Sequence, residues 1–515
     1  MLKGLKRFSR GGIFRLVVTF ISFGIQIFWL WSLSHRLEQY STLIAVSTDI
    51  LVAMLIIHVY NKQNYSISLK VPWIILILVF PIIGISLYFL SENNHQSKKV
   101  RLNTLKTKRE VKRFFQSDSS VIKEIEKLDK RVANQFFYLS KNEHFPAFIN
   151  TYAKFYGNTT ECFLEQLKAL RLAKKFIFIE YHAIEDAKAF SQMLKILEQK
   201  VKDAVEVRIL YDDVGSIGFI NRKFTEKMAA LNIRCKDFNP VSPLISLFMN
   251  NRDHRKMMII DGKVAFTGGY NIADEYFNYT SPYGHWKDSG LKIRGTAVNT
   301  FTQLFLEMWN SSEKKIENLS SYFENSKYKN SSSDGFIQPY ADTPLDNSYT
   351  GENVYLNIIK WAENYVYITT PYLILGDEMK RELFLAALRG VDVRIVTPGI
   401  PDKKLIYKLT RSFYSELIAA GIKIFEYSPG FIHSKQMLAD DSLAAVGTIN
   451  MDFRSFHHNF ENGVLMYKTG AISAIKDDFY SIFKVSADVS EKYKKRKKHF
   501  MSFSDRVLRL FSTLL

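Results

Sequence analysis

The chain has 515 residues, 47% hydrophobic and 14% aromatic, with a formal net charge of +19. That length exceeds one ordinary core and implies several domains. The charge favours a polyanionic partner, either nucleic acid or an anionic lipid surface, and two distant cysteines, Cys162 and Cys235, exclude a disulfide framework or a cysteine metal motif.

Residues 1–92 are expected to form a transmembrane anchor region with spans at 13–33, 42–60 and 71–90. A helix needs about 20 apolar residues to cross a bilayer. The first segment carries only Arg15, the second carries Asp49, and the third has no charge. Pro81 predicts a kink in the third. Lys3, Lys6, Arg7 and Arg10 form a basic leader, but the apolar run after it is long and no small-residue cleavage site follows, so an uncleaved anchor is expected. Residues 93–135 form a basic connector, with a cluster from Lys98 to Arg113. This cluster outweighs the basic N-terminus and favours a multi-pass protein of the cell membrane with a cytoplasmic catalytic region.

The rest reads as α/β, in a first half at 136–310 and a second at 336–490. In the first, "KKFIFIEYHAI" (174–184) is a buried strand, 188–204 an amphipathic helix and "VEVRILYDD" (205–213) another strand. In the second, 364–374, 378–390 and 391–399 repeat that order. An internal duplication follows. The polar stretch 311–335 links the halves, and 491–515 is a basic amphipathic tail suited to anionic headgroups.

Each half carries one sparse skeleton. "HRKMMIIDGKVAFTGGYN" begins at His254 and "HSKQMLADDSLAAVGTIN" at His433; each reads H-x-K, an Asp five residues after the Lys, then G-x-x-N. Residues i and i+2 of a strand share a face, so His254 with Lys256, and His433 with Lys435, would enter one cavity. Asn271 and Asn450 would add amide donors. Such a set suits a phosphate group: the lysines and amides hold non-bridging oxygens. One neutral histidine attacks phosphorus, and the other, protonated, supplies the leaving oxygen with a proton. A working histidine needs a partner on its second ring nitrogen. Asp261 and Asp440, inside the skeletons, are candidates for a supporting catalytic role, while Asp288 and Glu461 are better placed to orient the histidines. His182, His457 and His458 have no copy in the other half and read as ordinary packed or surface residues. No metal-binding or P-loop motif is present, so neither a metal nor a cofactor is expected.

The paired skeletons resemble the HKD motifs of the phospholipase D superfamily, and more narrowly the bacterial cardiolipin synthases. "YDDVGS", "TTPYLI", "GFIHSKQMLADD" and "VGTINMDFRSFHHNFE" are similar to that family's signatures, and the likeness extends from about residue 42 to the C-terminus. It implies an α/β fold of two pseudo-symmetric phospholipase D-like halves, each a mixed sheet flanked by helices, after a transmembrane helical region. It implies a phosphatidyltransferase joining two phosphatidylglycerol molecules through a phosphohistidine, with glycerol released. His254, Lys256, Asn271, His433, Lys435 and Asn450 would line the site, and Asp288 and Glu461 would orient the histidines. Phosphatidylglycerol and anionic membrane lipids are the expected partners, not nucleic acid. A membrane-anchored hydrolase releasing phosphatidic acid is the alternative. Three departures stand out. Asp253 occupies a position where the family usually has Asn, "EYHAI" is less aromatic than usual, and 13–33 is an additional hydrophobic segment.

Overall fold

The structure is a computed structural model. It describes all residues except 1–19, 30, 32–37, 63–66, 93–94, 112, 115–118, 150, 221–222, 241–250, 314–315, 324–334, 347, 496–502 and 513–515. Parts of the expected span 13–33, of the linker and of the basic tail lie outside the described residues. The chain divides into two units: 1–98 with 240–250 and 506–515, and 99–239 with 251–505.

In the smaller unit, helices span Glu38–Asn61, Ile67–Val79 and Pro81–Glu92. Val52, Leu55, Val59, Ile77 and Tyr88 pack together between them. Ser22 bonds Ser86 at 2.6 Å, and Gln26 accepts from the Ile82 N–H at 3.0 Å. The segment expected as one kinked span, 71–90, is two helices. Pro81 has no N–H and a fixed φ, so it opens a new helix at the position that needs neither. Among the described residues, no helix is long and apolar enough to cross a membrane.

The larger unit holds two sheets of matching plan. The first comprises β1 (Thr151–Tyr156), β2 (Phe176–Tyr181), β3 (Glu206–Asp212), β4 (Arg234–Phe238), β6 (Lys256–Ile260), β7 (Val264–Gly268) and β9 (Gly290–Gly295). Short strands β5 (Arg252–Asp253) and β8 (His285–Lys287) leave it. The second comprises β10 (Phe336–Asp342), β11 (Tyr365–Thr369), β12 (Asp392–Pro398), β13 (Lys423–Tyr427), β15 (Gln436–Ala439), β16 (Leu443–Gly447), β17 (Asn459–Tyr467) and β18 (Ser486–Asp488), with short strand β14 (Gly430–Ile432) beside it. The orders are β1-β9-β7-β6-β2-β3-β4 and β10-β17-β16-β15-β11-β12-β13-β18. In each, one parallel trio (β2, β3, β4; β11, β12, β13) continues into antiparallel strands. The duplicated strand and helix patterns thus form equivalent positions of two mixed α/β sheets.

β2 and β11 read as nearly unbroken apolar runs because both faces are covered. Helices Thr159–Arg171 and Lys188–Lys202 pack against the first sheet. Helix Val298–Ser311 is buried along its whole length, between β6, β7 and β9 of the first sheet and β10 of the second. The two sheets also exchange strands: β5 pairs with β17 and β8 with β14, both parallel. These exchanges bring the ends of β6 and β15 together.

Candidate active site

His254 and His433 each occupy the short turn between an exchanged strand and a sheet strand, β5–β6 and β14–β15. Their backbones are fixed by one rule. The His254 N–H donates to the Phe460 carbonyl at 2.9 Å, and the His433 N–H donates to the Lys287 carbonyl at 2.7 Å. Each acceptor immediately precedes a carboxylate of the opposite half. Those carboxylates reach back across. His254 Nδ1 lies 2.9 Å from both Glu461 oxygens, and His433 Nδ1 lies 2.6 Å from Asp288 Oδ2. With Nδ1 engaged in both rings, Nε2 is the nitrogen available to a ligand.

The lysines follow the same symmetry. Lys256 Nζ donates to the His254 carbonyl at 2.8 Å, and Lys435 Nζ donates to the His433 carbonyl. Burial pulls Lys256 down to about 8 and Lys435 down to about 7. Burial, then the lysine charges, hold His254 well below the ordinary imidazole range and take His433 to about 3. Without a ligand both rings are therefore neutral. An arriving phosphate anion reverses this, because its charge favours every protonated group around it.

The two carboxylates differ. Burial alone would raise Asp288, but His433, Lys435 and the Ser289 N–H outweigh it and hold the carboxyl below its usual range. Burial pushes Glu461 up to about 8, against Lys256 and hydrogen bonds from Thr448 and Asn459. Surroundings differ as well. The His433 ring is walled by Trp286 and Tyr276 at 5.3 and 5.4 Å between centroids, whereas His254 meets the ring of His182 at 4.9 Å.

The two asparagines border the cluster. Asn271 accepts from the Ala183 N–H at 3.1 Å and donates to the Tyr276 hydroxyl at 2.8 Å, which leaves one amide proton for a ligand. Asn450 bonds Asp452, and its Oδ1 is buried with no donor among the described residues.

Asp261 and Asp440 are not part of this cluster, which corrects their placing among the catalytic candidates. Each sits in a left-handed turn at the far end of its strand, with φ of +54° and +47°. The Asp261 carboxylate accepts the N–H groups of Lys174, Lys175 and Phe176 at 2.7–3.0 Å. Asp440 accepts those of Glu363, Asn364 and Tyr365 at 2.6–2.9 Å. Both are clasps that fix the entry of β2 and β11. His182 is the opposite correction. It has no copy in the second half, yet its ring lies 4.9 Å from that of His254. The signal available was its place one residue beyond Tyr181, which pairs with Lys256.

The family described as cardiolipin synthase, PLD-like domain, matches residues 167–309 and 355–483. The chain belongs to this family. A phospholipase D-nuclease N-terminal family also matches 50–91. Cardiolipin synthase 2 of Bacillus anthracis is 32% identical over 465 residues, 90% of each chain. A Geobacillus cardiolipin synthase is 31% identical over 509 residues, 98% of each. Among solved structures, phosphatidylserine synthase of Haemophilus influenzae shares the fold, with a TM-score of 0.52 at 13% identity over 70% of this chain and 95% of that one.

Two outcomes are expected. Asp261→Ala removes the acceptor of three N–H groups and should cost about 2–3 kcal/mol. Thermal unfolding should register that loss while the specific activity of the folded fraction stays within about twofold, as for a residue remote from the reacting atoms. In the second, Lys435 and Lys256 lose their charge as pH rises through about 7 and about 8. kcat/KM should therefore fall above that window, while the limb in kcat lies at higher pH because bound phosphate retains the protons. In Lys435→Arg the guanidinium stays charged, so a pH–rate series should show the limb displaced upward, whatever the residual rate.

Proposed function

We propose that this site transfers a phosphatidyl group from one phosphatidylglycerol to another, making cardiolipin and glycerol. The observation that carries this is the crossed pair of histidine–carboxylate contacts, which leaves two Nε2 atoms free beside two buried lysines. His254 is assigned the nucleophile. Its Nε2 attacks phosphorus, the phosphorus–oxygen bond to the departing glycerol breaks, and His433 gives that oxygen its proton. The carboxylates support this division. Ionised Asp288 stabilises an imidazolium at His433, and the surrounding aromatic faces add to it. Glu461, raised by burial, offers His254 less negative charge and keeps its ring neutral. In the second step a hydroxyl of the acceptor lipid attacks phosphorus and passes its proton to His433, and the nitrogen–phosphorus bond breaks with its electron pair returning to His254. Lys256 and Lys435, with Asn271 and Asn450, hold the phosphate oxygens and meet the charge that builds in the transition state.

The membrane supplies both substrates. The smaller unit supports a bilayer anchor. Leu43, Ile57, Ile67 and Val79 are 59–67% exposed on its helices, an apolar surface that water does not stabilise. We place the spans expected at 42–60 and 71–90 there, the second divided at Pro81; a tether to the bilayer raises the concentration of phosphatidylglycerol that the chain meets.

Purified protein in vesicles of headgroup-labelled phosphatidylglycerol should release glycerol and cardiolipin in near-equal amounts. Phosphatidic acid as the main product at every lipid concentration would make this a hydrolase. His254→Ala and His433→Ala should each lower turnover by about three orders of magnitude or more. Acid-labile label should appear on His254; label on His433 would reverse the two roles.

A further inference from the structure

His254, Lys256 and Asn271 each have a copy in the second half, but His182 beside them does not. The register that sets Tyr181 opposite Lys256 and Thr369 opposite Gln436 makes Pro371 the counterpart of His182. A third imidazole therefore enters from the first half alone.

Its setting defines its chemistry. His182 Nδ1 lies 2.8 Å from the Asp253 carbonyl oxygen. A carbonyl only accepts, so Nδ1 carries the proton and Nε2 is a bare acceptor. The ring lies against Gly215, where a Cβ would stand 2.6 Å from Nε2, so only glycine lets it occupy this place. Burial, then the charge of Lys256, keeps the imidazole near 3 and so unprotonated at neutral pH. Two further cations, Lys403 and Arg454, act on it from the second half. Asp212 stands 4.0 Å from Nδ1 and is itself held by the N–H groups of Gly215 and Asp253. The His182 side chain remains 23% exposed, open to a ligand.

A bare nitrogen repels phosphate oxygens, which are acceptors as well, and takes a hydroxyl donor. The headgroup of phosphatidylglycerol carries two free hydroxyls on adjacent carbons. We propose that His182 is a hydroxyl-binding subsite, which holds one hydroxyl of the acceptor's vicinal diol while its neighbour attacks phosphorus. This rests on the transfer reading given above. The attacking oxygen forms its bond to phosphorus, its proton goes to His433, and the bond to His254 breaks. The second hydroxyl stays intact, hydrogen-bonded to His182. Water has no second hydroxyl on a neighbouring carbon to reach the subsite while its oxygen attacks, so the subsite favours transfer over hydrolysis.

The test uses the full-length protein in phosphatidylglycerol vesicles, with propane-1,2-diol and propan-1-ol as competing acceptors. The wild type should form the phosphatidyl-diol in about tenfold preference, the scale of one hydrogen bond. In His182→Phe, which keeps a ring but no acceptor, the preference should fall to near parity, and cardiolipin should decline relative to phosphatidic acid. In His182→Gln, whose amide oxygen still accepts, most of the preference should return. The amount of labelled phosphohistidine should be unchanged in both. An undiminished preference in His182→Phe, no preference in the wild type, or loss of the phosphohistidine in both variants would overturn the subsite. A wild type that prefers the diol yet makes no cardiolipin from phosphatidylglycerol alone would uphold the subsite and overturn the proposed function.

Discussion

The crossed histidine–carboxylate pairs are the constraint on which the rest of the larger unit depends. Neither half can orient its own histidine. His254 is oriented by Glu461 from β17, and His433 by Asp288 from the turn between β8 and β9. The exchanged strands exist to make that reach possible, since pairing β5 with β17 and β8 with β14 sets each carboxylate one residue past the carbonyl that binds the opposite histidine's N–H. Backbone and side chain are thus fixed by the same strand. A shift of one residue in either exchanged pair would turn the carboxylate to the opposite face and leave a buried charge unpaired, at a cost of several kcal/mol.

Symmetry holds in the backbone and fails in the side chains, and the failures separate the two histidines chemically. Gly269 stands where the second half has Thr448, whose hydroxyl donates to Glu461; at Gly269 a Cβ would collide with Asp288. Behind His254 lies a buried charged layer of Glu180, Asp253 and Arg255, and the matching positions in the second half are Thr369, Ile432 and Ser434. Burial pushes Glu180 well up and Asp253 to about 6, and the charge of Arg255 pulls both back down.

Much of this was legible from residues alone. The repeated H-x-K and G-x-x-N pointed to residues that the structure gathers into one cluster, because the same skeleton in each half sets its histidine at an equivalent turn. Glu461 and Asp288 could be named from their place ahead of apolar runs. The crossing could not be read, because β5, β8 and β14 are two or three residues long and carry no periodicity. Asp261 and Asp440 misled for a physical reason. Their spacing repeats as faithfully as that of the histidines, but what repeats is a turn that needs a residue tolerant of positive φ and able to accept backbone N–H groups, and Asp does both. His182 misled in the reverse sense. A rule that credits only repeated residues finds what both halves share and overlooks what makes them differ.

The electrostatics of the site suit an anion. Two lysines are buried with their charge weakened, two histidines are kept neutral by burial and by those lysines, and Asp288 remains ionised. Removing an ammonium from water is costly, so the fold has taken on a strain that a phosphodiester relieves. Its single negative charge restores both lysines and allows one histidine to gain a proton. Substrate binding therefore sets the protonation states on which the first step depends. In the proposed transfer the same coupling would protect the phosphohistidine. Its phosphate keeps the negative charge in place, so the site stays in its working protonation state until a second hydroxyl arrives. A neutral ligand of the same shape would bind without restoring that charge and would leave both histidines unprotonated.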